Sequence, residues 1–249
     1  MDNSPICSLC ATSPATIKKS HIIPKFLYDY IQDGTDKMPM FNLENLARIT
    51  SFRNGIYEEG LLCQNCENKI LGSLDTYGAE FIKGRINSKI VFSKSNNSIN
   101  ATGIDYIRLK LFFLSILWRA SISKHDFFNE IDLQEHEMSV REMLLNHNPG
   151  SEECYRIVAV GIKANDNTLV RLILKPAIAL LESERFAVFF ISGFVYLISL
   201  EKESSLELFA SGYLSEQGNM TIRIISGDLG KKLFSAFGIT PEVISYYMG

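Results

Sequence analysis

The sequence has no excess of basic residues, and it contains only five cysteines and four histidines. Its 25 Lys and Arg residues against 28 Asp and Glu residues give a formal net charge of -3 at pH 7. A chain this close to neutral is not drawn to nucleic acid by its overall charge. Binding of DNA or RNA would therefore require a local basic patch.

The sequence also lacks an apolar run long enough to span a membrane. Segments 111–118 and 186–200 are the best candidates, but both are shorter than the ~20 residues that a spanning helix needs, and Ser192-Gly193 interrupts the second. The first CxxC pair comes before any apolar segment, so we expect no secretory signal. We therefore predict a cytoplasmic protein with no membrane partner, in a compartment that favours thiolate–metal sites over disulfides.

Four of the five cysteines form two CxxC pairs, Cys7 with Cys10 and Cys63 with Cys66. Each CxxC places two sulfur atoms on one tight knuckle, and two knuckles complete the tetrahedral shell that zinc prefers. Cys10 and Cys63 lie 53 positions apart, so an insertion separates the knuckles. The spacing predicts a structural zinc site, with a redox-active CxxC or unrelated thiols as the alternatives.

Hydrophobic periodicity predicts helices in the middle of the chain. A helix should start at the second knuckle and end near Gly84, and residues 93–103 read as a polar linker. Residues 104–123 predict a buried helix, followed by a second helix over 138–145. The apolar residues that define the first of these two helices are expected to share one stripe: Ile104, Ile107, Leu111, Leu114 and Trp118.

Beyond residue 150 the pattern changes to segments rich in β-branched and aromatic residues. We predict strands within 155–226, a tight hairpin turn at Ser192-Gly193, and short helices at 231–237 and 241–248. The predicted fold class is therefore α+β. A zinc module spans residues 1–92, and a C-terminal domain at 104–249 combines helices within 104–147 with an antiparallel sheet and the terminal helices.

One histidine, His21, lies between the two cysteine pairs in the segment Ser-His-Ile-Ile-Pro. The order CxxC, His-Ile-Ile-Pro, Leu-Leu-CxxC, helix over residues 7–84 resembles the zinc-bearing HNH (ββα-metal) endonucleases. The chain is most similar to an uncharacterised bacterial group of these proteins, some of which accompany phage-defence genes. The sequence 52–67 (FRNGIYEEGLLCQNCE), Asp75-Thr-Tyr and Ser115-Ile-Leu-Trp-Arg carry this closer similarity. The resemblance implies a treble-clef, ββα-metal-like fold for the zinc module.

The resemblance also implies a catalytic site. His21 would be the general base, and a catalytic Mg²⁺ or Mn²⁺, distinct from the zinc, would be held by the residues before His21 and after the last cysteine. Those residues are Ser20, where the family has Asp or Glu, and Glu67, where it has Asn or His. Since a carboxylate is a good Mg²⁺ ligand and a hydroxyl a poor one, we expect Glu67 to bind the ion, with Asp75 as a distant helper.

Each of these residues also has a purely structural interpretation. His21 would then be a core histidine beneath the knuckle, and Glu67 a carboxylate that favours the start of a helix. Arg53 and Lys69 are candidate phosphate contacts, but both fit equally well as solvated surface charges.

We therefore carry several functional hypotheses. The leading one is an HNH-like, metal-dependent endonuclease that hydrolyses nucleic-acid phosphodiesters, DNA in preference to RNA, with a phage-defence role implied by the resemblance. Its C-terminal domain would bind a protein partner or the substrate, or would form oligomers. The alternative is a catalytically inactive zinc-finger module for recognition of nucleic acid or protein, which the serine at position 20 favours. A third is a structural adaptor whose sheet forms a protein interface.

Overall fold

The fold is described from a computed structural model, which covers residues 5–28, 40–41, 55–84, 89–164, 169, 173–181, 183–201 and 212–236. This part of the chain is a mixture of α-helices and β-strands, in agreement with the predicted α+β class. The Arg53 position and the predicted helix at 241–248 lie outside the described residues.

The N-terminal part contains three two-residue strands, β1 (Ser20–His21), β2 (Met40–Phe41) and β3 (Tyr57–Glu58). Strands β1 and β3 pair antiparallel, with Ser20 opposite Glu58 and His21 opposite Tyr57. A π-helical turn at Cys66–Leu71 then continues into helix α1 (Gly72–Lys83). Gly84 ends α1 with a left-handed φ of 58°, a conformation that glycine adopts without steric cost, so the predicted helix end is confirmed.

Helix α2 (Tyr106–Ile122) is the centre of the hydrophobic core, and every residue from Leu109 to Ala120 is buried. It packs against α1 on one side, and the centroid of the Phe113 ring lies 4.8 Å from that of Tyr196 in the large sheet. The predicted buried helix is confirmed, but the predicted single stripe is wrong, because Ile107 is 44% exposed, whereas residues 109–120 are buried on every side of the helix. None of the described helices combines the length and apolar character that crossing a bilayer requires.

The remaining strands join β2 in one nine-stranded sheet. In chain order they are β4 (Val91–Lys94), β5 (Ser98–Thr102), β6 (Ile157–Lys163), β7 (Ile173–Leu174), β8 (Ala177–Leu181), β9 (Glu184–Ile191), β10 (Phe194–Ser199) and β11 (Met220–Ser226). The order across the sheet is β2-β7-β9-β10-β6-β11-β5-β4, and β8 also pairs with β9. Ser192 and Gly193 have φ values of 55° and 90°, which confirms the tight turn between β9 and β10.

The sheet is mixed, so the prediction of an antiparallel sheet is wrong in part. Strand β11 lies between β5 and β6 and runs antiparallel to the first and parallel to the second, and β2 also runs parallel to β7. The physical reason is that β6 is a buried strand whose two edges both need partners. Strand β10 follows β9 through a hairpin and pairs with one edge of β6, which leaves the other edge to β11.

The segment expected to be a polar linker is the hairpin β4–β5 at the edge of this sheet. Its Ser and Asn side chains are mostly exposed, while its backbone pairs with β11 through Ile99 and Ile222. Two helices complete the described part, α3 (His136–Leu145) and α4 (Gly227–Ala236). One continuous hydrophobic core extends from Cys7 to Ile222. The division into domains at 1–92 and 104–249 stays a prediction.

Candidate metal centre and adjoining polar cluster

The two CxxC knuckles meet in space. The thiol sulfurs of Cys7, Cys10, Cys63 and Cys66 all lie within 4.8 Å of one another, and those of Cys10 and Cys63 are 3.9 Å apart. A tetrahedral zinc ion with bonds of about 2.3 Å separates its sulfur ligands by about 3.8 Å, so the four thiols fit such an ion. The predicted cysteine cluster is confirmed as one that can hold a structural metal ion such as zinc.

Backbone hydrogen bonds hold the knuckles together. The amide of Ser8 donates to the Leu61 carbonyl at 3.0 Å, which links the first knuckle to the segment that leads into the second. Ala11 has a left-handed φ of 55° and donates to the Cys7 carbonyl at 2.9 Å, which closes the first knuckle. In the second knuckle the Cys66 amide points at the Cys63 sulfur at 3.5 Å, as expected for a thiolate ligand at a helix start.

A side chain from the C-terminal part also contacts the first knuckle. Arg141 in α3 donates through Nε to the carbonyls of Ser8 and Leu9, at 3.1 and 2.7 Å. Both carbonyls lie between the two cysteines of the first pair, so the guanidinium fixes the loop that presents their sulfurs. The sequence offers no signal for this contact, because more than 130 positions separate the partners.

Cys10 differs in acidity from Cys7 and Cys66. A hydrogen bond from the Thr12 side chain, with further backbone bonds, lowers the pKa of Cys10 to about 5, whereas burial raises the pKa of Cys7 and Cys66. Metal binding must displace the protons of the last two thiols, because the thiolate is the ligand. Affinity for a metal ion should therefore fall as the pH falls.

Next to the metal centre, the two residues that the resemblance assigns to a catalytic ion contact each other. Ser20 is fully buried, and its hydroxyl donates to Oε2 of Glu67 at 3.0 Å. Burial raises the pKa of Glu67, while the positive charge of Arg119 and the Ser20 hydrogen bond oppose that shift. The carboxylate therefore lies in a partly desolvated position that favours a cation or a proton.

Asp75 has a different environment from the one expected of a metal helper. Both of its carboxylate oxygens accept hydrogen bonds from Arg119, at 2.8 and 3.2 Å, and this guanidinium is 1% exposed. Arg119 also donates to the carbonyl oxygen of His21 at 3.1 Å and to Ser115. One buried arginine thus joins α1, α2 and β1, a role that no sequence pattern indicates.

His21 lies opposite Tyr57 in the β1–β3 pair. It is half-buried, and its ring centroid is 5.8 Å from that of Tyr57, its partner across the strands. Because neighbouring side chains alternate between the faces of a strand, Ser20 points inward to Glu67 while His21 lies with Tyr57. Lys69 is exposed and forms no ion pair with any of the described residues, so the structure does not separate its two interpretations.

The chain matches no protein-family model, no curated protein and no solved structure. The residues and their geometry are therefore the basis for assigning a function.

Proposed function

We propose that the chain is an HNH-type, metal-dependent endonuclease whose zinc centre holds a treble-clef, ββα-metal-like scaffold. The order of the elements supports this: a first knuckle, strands β1 and β3, a second knuckle, and a helix that starts at the metal centre. The observation that carries the proposal is the 3.0 Å contact of Ser20 with Glu67, because it brings together the two positions that bind the catalytic ion in that family.

In this proposal Glu67 would hold the Mg²⁺ or Mn²⁺ ion. Mg²⁺ is usually held by one or two carboxylates and completes its shell with water and substrate phosphate oxygens. Glu67 supplies the carboxylate and Ser20 a neutral oxygen beside it. When bound, the ion would stabilise the negative charge that develops on the phosphate and the leaving oxygen. We assign Asp75 to positioning rather than to the ion, because Arg119 engages both of its oxygens.

In this proposal His21 removes a proton from the attacking water. A neutral imidazole is suited to that step near pH 7, and partial exposure gives it access to water. The hydrogen bond from Arg119 to the His21 carbonyl fixes the backbone that presents the ring. Water attack on phosphorus and departure of the leaving oxygen then cleave the phosphodiester without a covalent intermediate on the protein.

The test is cleavage of a supercoiled plasmid and of a circular single-stranded DNA with Mg²⁺ or Mn²⁺, comparing the wild type with His21→Ala and Glu67→Gln. We expect each variant to lose about 10²- to 10⁴-fold in rate, the usual contribution of a general base or a bound ion. His147→Asn is the matched control, because His147 is exposed and lies in another part of the fold. Zinc content and circular dichroism should be unchanged in all variants. Cleavage by His21→Ala at the wild-type rate would remove this histidine from the mechanism.

A second function is favoured by one specific observation. Of the two acidic residues in this cluster, Asp75 is bound to Arg119, and position 20 supplies a hydroxyl in place of a carboxylate. Only Glu67 remains as an ion ligand, as expected for a zinc module that binds nucleic acid or protein without cleaving it. Zinc-dependent binding of an oligonucleotide by a protein that leaves plasmid intact with Mg²⁺, Mn²⁺, Co²⁺ and Ni²⁺ would select this function.

A role in phage defence is part of the same proposal and rests on the resemblance alone. It is tested by the efficiency of plating of a phage panel on bacteria that express the wild type or His21→Ala. Protection that is lost in the variant supports a nuclease in defence, and equal plating on both strains and on an empty-vector control contradicts it.

A further inference from the structure

An exposed aromatic ring lies beside the proposed general base. Tyr57 in β3 is 38% exposed, and its ring contacts the His21 ring in a T-shaped arrangement with an interplanar angle of 60°. The ammonium group of Lys19 lies 5.2 Å from the centre of the same ring. We call these three residues, Lys19, His21 and Tyr57, the Tyr57 face.

The strand that carries Tyr57 is fixed from its opposite side. The carboxylate of Glu58 accepts hydrogen bonds from the Ser123 hydroxyl and from the Lys124 amide, the latter at 2.9 Å, at the C-terminal end of α2. Tyr57 is therefore presented on a backbone that is bonded to the buried core. A rigid ring loses little conformational entropy when a ligand stacks on it.

Exposed lysines lie in the segment that carries Lys19 and His21. Residues 5–28 contain Lys18, Lys19 and Lys25 and no acidic residue, and all three lysines are exposed. On β3 the carboxylate of Glu58 is engaged by α2, which leaves Glu59 as the exposed acid next to the face. Lys19 is thus the cation that lies against the Tyr57 ring.

We infer that the Tyr57 face binds an unpaired base of a nucleic-acid strand, with the base stacked on Tyr57 and the adjacent phosphate contacted by Lys19. The inference rests on the proposed function, because it names the substrate of the same site as single-stranded nucleic acid. An exposed aromatic ring beside a cation is how proteins bind single strands without reading sequence. Bases in a duplex are stacked on both sides and have no free face to offer.

The test measures binding separately from cleavage. Fluorescence anisotropy is recorded with a fluorescein-labelled 15-mer of dT, a 15-mer of rU and a 15-base-pair duplex, with zinc-loaded protein and no added Mg²⁺ or Mn²⁺. We expect the single strands to bind at least about 10-fold tighter than the duplex, and the dT and rU arms to show which sugar is preferred. Tyr57→Leu should weaken single-strand binding by about 10-fold or more, whereas Tyr57→Phe should bind like the wild type.

Matched controls separate this site from general effects. Tyr213 also carries a cation over its ring, with Arg156 at 4.9 Å, but it lies in another part of the chain, so Tyr213→Leu should not change the affinity. Lys19→Gln should reduce the slope of log affinity against log salt by about 0.7, the value for one phosphate contact on a single strand. Glu59→Gln should strengthen binding, because it removes the adjacent negative charge.

The outcomes distinguish this inference from the proposed nuclease. Wild-type affinity in both Tyr57→Leu and Lys19→Gln, or no binding by the wild type, overturns the inference whether or not plasmid is cleaved. If binding depends on Tyr57 but the protein cleaves no nucleic acid, the inference about the Tyr57 face is retained and the proposed nuclease function is rejected. If both hold, Tyr57→Leu should raise KM for a single-stranded substrate.

Discussion

The ion pair between Arg119 and Asp75 should be the most sensitive polar contact in the described part of the chain. Arg119→Met keeps a long, flexible side chain in the core but removes the guanidinium. The Asp75 carboxylate then loses two hydrogen bonds and the His21 carbonyl loses one. Removing one partner of a buried pair costs about 3–5 kcal/mol. Because the Asp75 side chain is 25% exposed and water can replace part of the loss, we expect the lower end, about 3 kcal/mol.

The measurement is urea denaturation of zinc-loaded protein, followed by circular dichroism. For a chain of this size about 3 kcal/mol corresponds to a fall in Tm of about 6–12 °C. Asp75→Asn and the double variant complete a double-mutant cycle, in which the double variant should lose clearly less than the two single losses combined.

Arg108→Met is the control for this cycle. Arg108 lies on the same helix, is only partly buried, and contacts the Tyr77 ring at 4.8 Å, so it should cost less than about 1 kcal/mol. Equal losses for Arg119→Met and Arg108→Met, or additive losses in the cycle, would refute the reasoning.

Three further predictions concern other contacts. Arg141→Lys cannot reproduce the bonds to the first knuckle, so it should speed zinc transfer to a chromogenic chelator about 10-fold, whereas Arg108→Lys should not. Burial lowers the pKa of Lys110 to about 8, so above pH 8 the unfolded chain holds a proton that the folded chain has released. The unfolding free energy of the wild type should therefore rise relative to that of Lys110→Met between pH 8 and 10, by at most about 1.4 kcal/mol per pH unit. Urea titrations at several pH values measure this, and a difference between the two proteins that does not change with pH would contradict it. Gly78→Ala would place a Cβ 2.4 Å from the Phe112 ring where α1 crosses α2, so it should lower the free energy of unfolding by about 1–3 kcal/mol. Thermal melts measure this loss, and an unchanged Tm would show that the ring moves aside without cost.

The parts of the fold that the sequence predicts well are those with a local signature. A CxxC pair brings two sulfurs together by its own turn, so the cysteine cluster can be predicted from spacing alone. The helix after Cys66 and its end at Gly84 follow from periodicity and from a glycine that tolerates positive φ. The turn at Ser192-Gly193 is equally local.

The parts that the sequence does not predict depend on distant segments. Residues 98–102 look like a linker because Ser and Asn dominate, yet an edge strand needs only backbone pairing with β11 and tolerates polar side chains. Strand β8, Ala177–Leu181, is rich in residues that favour helices, and pairing with β9 overrides that preference. The parallel direction of β11 is set by which edge of β6 remains open, which no local pattern encodes.

The candidate site also has features that the sequence indicates and features that it does not. The resemblance singles out Ser20, Glu67, Asp75 and the segment that ends at Arg119, and the structure brings all of them into one neighbourhood. The hydrogen-bond partner of each carboxylate cannot be predicted, because no sequence pattern links residues as far apart as Asp75 and Arg119, which are separated by 44 positions. The resemblance therefore places Asp75 near an ion, whereas its carboxylate binds a guanidinium. Tyr57 has no sequence signature, because a single aromatic residue in a loop-like segment forms no distinctive pattern.

The position of β11 has a consequence for how the protein is made. Strand β5 can pair with β6 only through Met220–Ser226, which lies more than 110 residues later in the chain. During synthesis on the ribosome, the two CxxC knuckles and the hairpin β4–β5 emerge long before the strand that attaches this hairpin to the rest of the sheet. The large sheet therefore closes only when translation has passed residue 226, and an incomplete chain would carry a hairpin with an open edge.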